Sequence, residues 1–134
     1  MSTATLSSQA LVTTGWTTLP SSATVTVTVP AGATATGLIN AEGDIALNNA
    51  ASAQGMAELH LLVDNVIVRK VRASAANTTL GGNMAAAWHL GTVMTLSEGS
   101  HTVTVEAKTI LAVGGTNVTV NSLSPGALNI VVLQ

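Results

Sequence analysis

The sequence predicts an all-β protein built as a sandwich, and three observations carry that prediction. Residues 23–29 read ATVTVTV, with Val25, Val27 and Val29 on one side and Thr24, Thr26 and Thr28 on the other. This is the period of two that belongs to a half-buried strand, with the valines toward the core. Met56 to Ser74 read MAELHLLVDNVIVRKVRAS, two β-rich runs around Asp64-Asn65, a pair that tolerates the positive φ of a tight hairpin turn. No segment of comparable length holds a helical period. The Ala-rich patches at 50–53 and 85–87 suffice for a single turn at most.

The elements follow in chain order. Met1 to Gln9, MSTATLSSQ, is small, polar and uncharged. It reads as a flexible N-terminal arm over residues 1–9, either a disordered tail or a segment that orders on binding a partner. The first strand is ATVTVTV, closed by the punctuation of Pro30 and Gly32. A second strand spans Thr34 to Glu42, with a bend expected at Gly43-Asp44. The hairpin about Asp64-Asn65 supplies two more, and a strand over Trp88 to Leu96 leads through the turn Ser97 to Ser100 into HTVTVEAK. In that strand His101, Val103, Val105 and Ala107 share one face, and Thr102, Thr104, Glu106 and Lys108 share the other. His101 and Glu106 therefore point to opposite sides, and Glu98 lies in the turn. Two strands, about Thr116 to Ser122 and Leu128 to Leu133, close the chain. The last is apolar on both faces, as in a strand buried within the domain or against a neighbouring subunit. About eight short strands with Gly, Pro and Asn between them predict a sandwich or jelly roll. No internal repeat, linker or second domain appears, so residues 10–134 read as one domain.

Composition narrows the function classes. Charged residues are 7% of the 134, against about 25% in average soluble proteins, so Thr, Ser and Asn supply most of the surface polarity. The fixed cations are Arg69, Lys70, Arg72 and Lys108, and the formal net charge is −2. Too few cations for a phosphate-neutralising patch, and no interleaved aromatics, make nucleic acid an unexpected partner. With no cysteine, disulfides and thiolate chemistry are unavailable. The first sixteen residues have no basic region and no unbroken apolar run, so synthesis in a host cytoplasm without a Sec signal is expected. The mean hydropathy of +0.51 reflects Ala and Val spread along the chain. No apolar run reaches the roughly 18 residues of a membrane-spanning helix, and no membrane partner is expected. The sequons at Asn77 and Asn117 match by pattern alone.

Three segments resemble a known group of domains. VTVTVPAG at Val25 to Gly32, LLVDNVIV at Leu61 to Val68, and WHLGTVMTLSEGSHTVTVEAK followed by LSPGALNIVVL are similar, in wording and order, to jelly rolls of the tumour-necrosis-factor and complement-globular-head type found in phage and bacterial proteins. The likeness covers Trp16 to Leu133. It implies a ten-strand-like jelly roll that associates as a homotrimer on a fibre tip or virion surface. The chain departs from the family in having no collagen-like or coiled-coil stalk and no Phe or Tyr. A stalk-less version suits decoration of a surface, and the missing aromatics leave the trimer interface to aliphatic residues.

Candidate chemistry is sparse. Glu58 and His60 share a strand face, and a regular two-residue hairpin puts Arg69 opposite His60, giving a Glu-His-Arg cluster. No nucleophile, carboxylate pair or phosphate loop accompanies it, so a polar surface or inter-subunit pair is expected and no catalytic residue is assigned. His60, His89 and His101 lack metal-ligand spacing. Glu42, Asp44 and Asp64 supply oxygens without a clustered acidic loop, so neither a metal nor a cofactor is assigned. Trp88 stacks on a sugar if exposed, or fills the core if buried, and Met84 and Leu90 of the same parity favour burial. The expectation is a non-enzymatic phage virion structural protein on the capsid exterior: a trimeric decoration (cement) protein bound to the major capsid protein or another virion protein. The alternative is a carbohydrate- or receptor-binding head of a phage tail or bacterial surface protein, with a surface glycan as ligand. A jelly-roll enzyme is the third class, and it requires an acid–base or metal cluster.

Overall fold

Alternation of small polar and branched apolar residues yields strands throughout. The structure, a computed structural model, describes residues 1–11, 15–19, 24–47, 53–77, 84–114, 118–121 and 125–134. Among these residues there are eleven strands and no helix: β1 (Ser2–Leu6), β2 (Gln9–Ala10), β3 (Thr17–Thr18), β4 (Val25–Val29), β5 (Ala35–Leu47), β6 (Ala53–Val63), β7 (Val66–Asn77), β8 (Met84–Leu96), β9 (Gly99–Val113), β10 (Val118–Val120) and β11 (Gly126–Leu133).

They form two antiparallel sheets. In sheet A, β5 pairs with β8 on one side and with β10 and β11 on the other, and β2 and β1 extend the sheet beyond these. In sheet B, β9 pairs with β3 and β4 on one side and with β6 on the other, and β7 closes the edge. Among the described residues, only β6 and β7 are sequence neighbours that pair through a tight hairpin. Its turn is Asp64 and Asn65, with φ of 52° and 64°, as the two-residue loop requires. The other paired strands are far apart in the chain, so the sandwich is assembled from non-local ladders.

The core lies between the sheets. Ile39, Ala41 and Ile45 of β5, Leu59 and Leu61 of β6, Val103 and Val105 of β9, Leu128 and Ile130 of β11 and Trp88 of β8 meet there. Burying such aliphatic side chains contributes about 1.5–3 kcal/mol each, which compensates for the scarcity of aromatics.

Four expectations are corrected. Residues 1–9 are not a loose arm throughout: β1 pairs with β11 from Ser2↔Ile130 to Leu6↔Gly126, because STATL alternates and turns Ala4 and Leu6 toward the core. Gly43-Asp44 is no bend, since β5 pairs without interruption with β8 from Ala35↔Leu96 to Leu47↔Met84. At Gly43 a Cβ would lie 2.8 Å from the Trp88 ring and would collide with Asn121 Oδ1. That glycine permits close approach within a strand rather than a turn. The Ala85–Ala87 patch belongs to β8, where the ladder to β5 outweighs alanine's helical preference. Finally, Arg69 faces Leu61 rather than His60, because the ladder slips between Leu61 and Leu62 and leaves Val68 as an extra residue. Lys70 takes the place opposite His60. The sequons at Asn77-Thr78-Thr79 and Asn117, and residues 50–52 of the first Ala-rich patch, lie outside the described side chains. No helix among the described residues is long and apolar enough to cross a membrane.

Candidate functional site

The centre of sheet B's outer face gathers the densest polar chemistry. Directly opposed residues in an antiparallel pair point the same way, and the register sets Glu58 beside Arg72 and Lys108, and His60 beside Lys70 and Glu106. Trp16, one residue before β3, lies against this group because Thr17 pairs with Ala107 of β9.

His60 is the hub. Its Nε2 lies 3.0 Å from Glu58 Oε1 and its Nδ1 lies 3.1 Å from Glu106 Oε1. Carboxylates accept only, so both contacts are hydrogen bonds when both ring nitrogens carry hydrogens. The Trp16 ring covers the imidazole with centroids 3.9 Å apart, and His60 is only 3% exposed although it points away from the core. Lys108 Nζ lies 4.5 Å from the Trp16 centroid, a cation–π contact. Arg72 Nε donates to Glu58 Oε2 at 2.7 Å. That bond, aided by His60, holds the Glu58 carboxyl below its ordinary value against the opposing effect of burial.

The sequence reading recognised Glu58 and His60 as neighbours. It missed Glu106 and Lys108, which join the group from β9, and Trp16, which joins it from the residue before β3. Only the β6–β9 and β3–β9 registers bring them there, and no local signal encodes those.

A second cluster ties two turns together at one end of the sandwich. Asp64 Oδ2 lies 2.7 Å from His101 Nδ1, and Asp64 Oδ1 accepts the Thr102 N–H at 2.8 Å. His101 Nε2 donates to the Ser97 carbonyl at 2.9 Å. With Nε2 donating to a carbonyl and Nδ1 facing a carboxylate, the geometry suits the charged imidazolium. Its value is accordingly raised, first by the bond to Asp64 and then by that to Ser97, while His101 and the Thr102 amide lower that of Asp64. His101 and Glu106 are not paired, in agreement with their opposite strand faces. Glu98, in the turn, accepts the Gly32 N–H instead.

The third feature is an open cavity of ≈ 390 Å³ on sheet A, bordered by Glu42, Trp88, His89 and Pro125. Trp88 is 3% exposed, and its indole N–H donates to the Asp44 carbonyl at 3.1 Å, so it is core rather than a stacking platform. Asn121 sits buried behind the cavity at φ 53° and donates its backbone N–H to the Asp44 carbonyl.

The described residues include no group of three or more His, Asp or Glu side chains placed to hold one metal ion. The two nitrogens of His60 are directed at separate carboxylates. A scan against protein-family models and a search of curated proteins find no match to this chain.

Proposed function

We propose that the chain is a non-enzymatic phage virion protein, a capsid decoration (cement) protein acting as a jelly-roll homotrimer on the shell exterior. In support, the ladders pair chain-distant strands and the chain crosses repeatedly between the two sheets, as in interlocked Greek keys. This is the order that the resemblance of the quoted segments implies.

The observation that carries the self-association is on sheet A's outer face. Val93, Leu38 and Val131 stand directly abreast across β8, β5 and β11. Val93 is 65% exposed, and nearby Leu133 is 53% exposed. An aliphatic row across three adjacent strands of a sheet face, flanked by Thr36, Thr95 and Asn40, has the make-up of an interface core with a polar rim. The imidazoles support a structural role, since His60 and His101 are held by fixed neighbours rather than poised beside a nucleophile.

The test is co-sedimentation of the purified protein with a panel of purified, undecorated phage shells. Saturable binding at three copies per local threefold position is expected. Failure to bind any shell, with the protein folded and trimeric, would contradict the decoration role.

A glycan- or receptor-binding head is the second reading, and Trp16 favours it, being 38% exposed. A glycan-array signal abolished by Trp16→Ala would establish that reading in place of decoration.

A further inference from the structure

We infer that the outer face of sheet B, centred on Trp16, is a docking surface for an acidic protein surface. The charge layering of the cluster carries this assignment. Glu58 and Glu106 lie low on the sheet, with side chains 14% and 21% exposed, and both are engaged by His60. The cations stand above them. The Arg72 side chain is 67% exposed, Lys70 is exposed and has no partner among the described residues, and Lys108 rests on Trp16. This face therefore holds three of the chain's four fixed cations against two carboxylates. Elsewhere Arg69 stands alone against Glu42, Asp44, Asp64 and Glu98. A protein of net charge −2 thus turns one cationic face outward.

The shape of that face selects the class of partner. Small-molecule and sugar sites are concave, whereas this group lies on the pleated surface of a sheet, away from the cavity on sheet A. A part-exposed tryptophan and an arginine on one sheet face, ringed by charge, have the composition of a protein–protein hot spot. The surrounding lysines favour a carboxylate-rich counterpart through complementary potential. The docked protein is the shell of the proposed function, on which its identity rests. The face itself follows from the charge layering alone.

The experiment uses the whole chain with poly-L-glutamate as the probe, polygalacturonate as an acidic glycan, and undecorated shells in parallel. Binding is followed by Trp16 fluorescence and sedimentation at low and high salt. Lys70→Glu reverses an unpaired, exposed cation, so folding is preserved. Thr3→Glu with Ser8→Glu makes an equal charge change at exposed positions outside this face. The expected result is salt-sensitive poly-L-glutamate binding, weakened about tenfold or more by Lys70→Glu and changed less than about twofold by the control pair. Absence of binding at low salt, or binding indifferent to Lys70→Glu, overturns the inference. Tighter binding of polygalacturonate than of poly-L-glutamate, lost in Lys70→Glu, reassigns the face to an acidic glycan and also overturns it. Shell binding that survives Lys70→Glu overturns the face while leaving decoration intact. Lys70-dependent poly-L-glutamate binding without shell binding does the reverse.

Discussion

Asp64 and His101 hold the β6–β7 turn against the start of β9, and their linkage fixes a pH window. Asp64 titrates below its ordinary 3.8, so its contribution is complete above that value and fades as pH falls through the lower folded value. His101 titrates above its ordinary 6.5, so its contribution is complete below that value and fades as pH rises through the higher folded value. Both are present in full between pH 3.8 and 6.5. Asp64→Asn is therefore expected to lower stability most within that window, by at most about 1 kcal/mol because Asp64 is nearly half exposed. Urea unfolding from acid to alkaline pH measures the gap, and a pH-independent gap would dismiss the pair. A second residue-scale prediction concerns Thr109, whose buried Oγ1 has no hydrogen-bond partner among the described residues. Thr109→Val replaces the hydroxyl with a methyl of similar shape and is expected to raise stability by about 1 kcal/mol in the same assay. His101 was legible as a turn-to-strand residue because its neighbours alternate. Its bond to Asp64 was not, since the two are 37 residues apart and meet only when the ladders form.

At the scale of elements, local chemistry and ladder register divide what the sequence discloses. VTVTV and the Asp64-Asn65 turn were readable because side-chain alternation and positive φ are properties of neighbours. The extra residue at Val68 was not, because VIVRK alternates as well with a bulge as without one. A single bulge then exchanged Arg69 for Lys70 beside His60. Gly43 illustrates the same limit. From sequence a Gly-Asp pair marks a bend, whereas in β5 the missing Cβ makes room for Trp88 and Asn121. Gly43→Ala is accordingly expected to lower stability by about 3 kcal/mol through overpacking. Thermal unfolding monitored at Trp88 measures that cost, and a loss within experimental error would show that Asn121 and the indole move aside freely.

At the scale of the whole molecule, the two sheets differ in outward character. Sheet A presents the aliphatic row of Val93, Leu38 and Val131, and sheet B presents Trp16 beneath a cationic layer. Under the proposed function, one face serves copies of the chain and the other a foreign acidic surface. The double-sided apolarity of LNIVVL made part of this legible, since Leu128 and Ile130 enter the core while Val131 and Leu133 remain outward. The cationic face was hidden because Lys70, Arg72 and Lys108 belong to two strands that both flank β6. Breaking the aliphatic row with Val93→Lys is expected to dissociate the assembly without unfolding the subunit, a change visible as loss of mass with an unchanged circular dichroism spectrum. The most direct test is the native mass by light scattering over a concentration series. A species three times the 13.4 kDa subunit is expected, reduced to one subunit by Val93→Lys. A strict monomer at every concentration would contradict it.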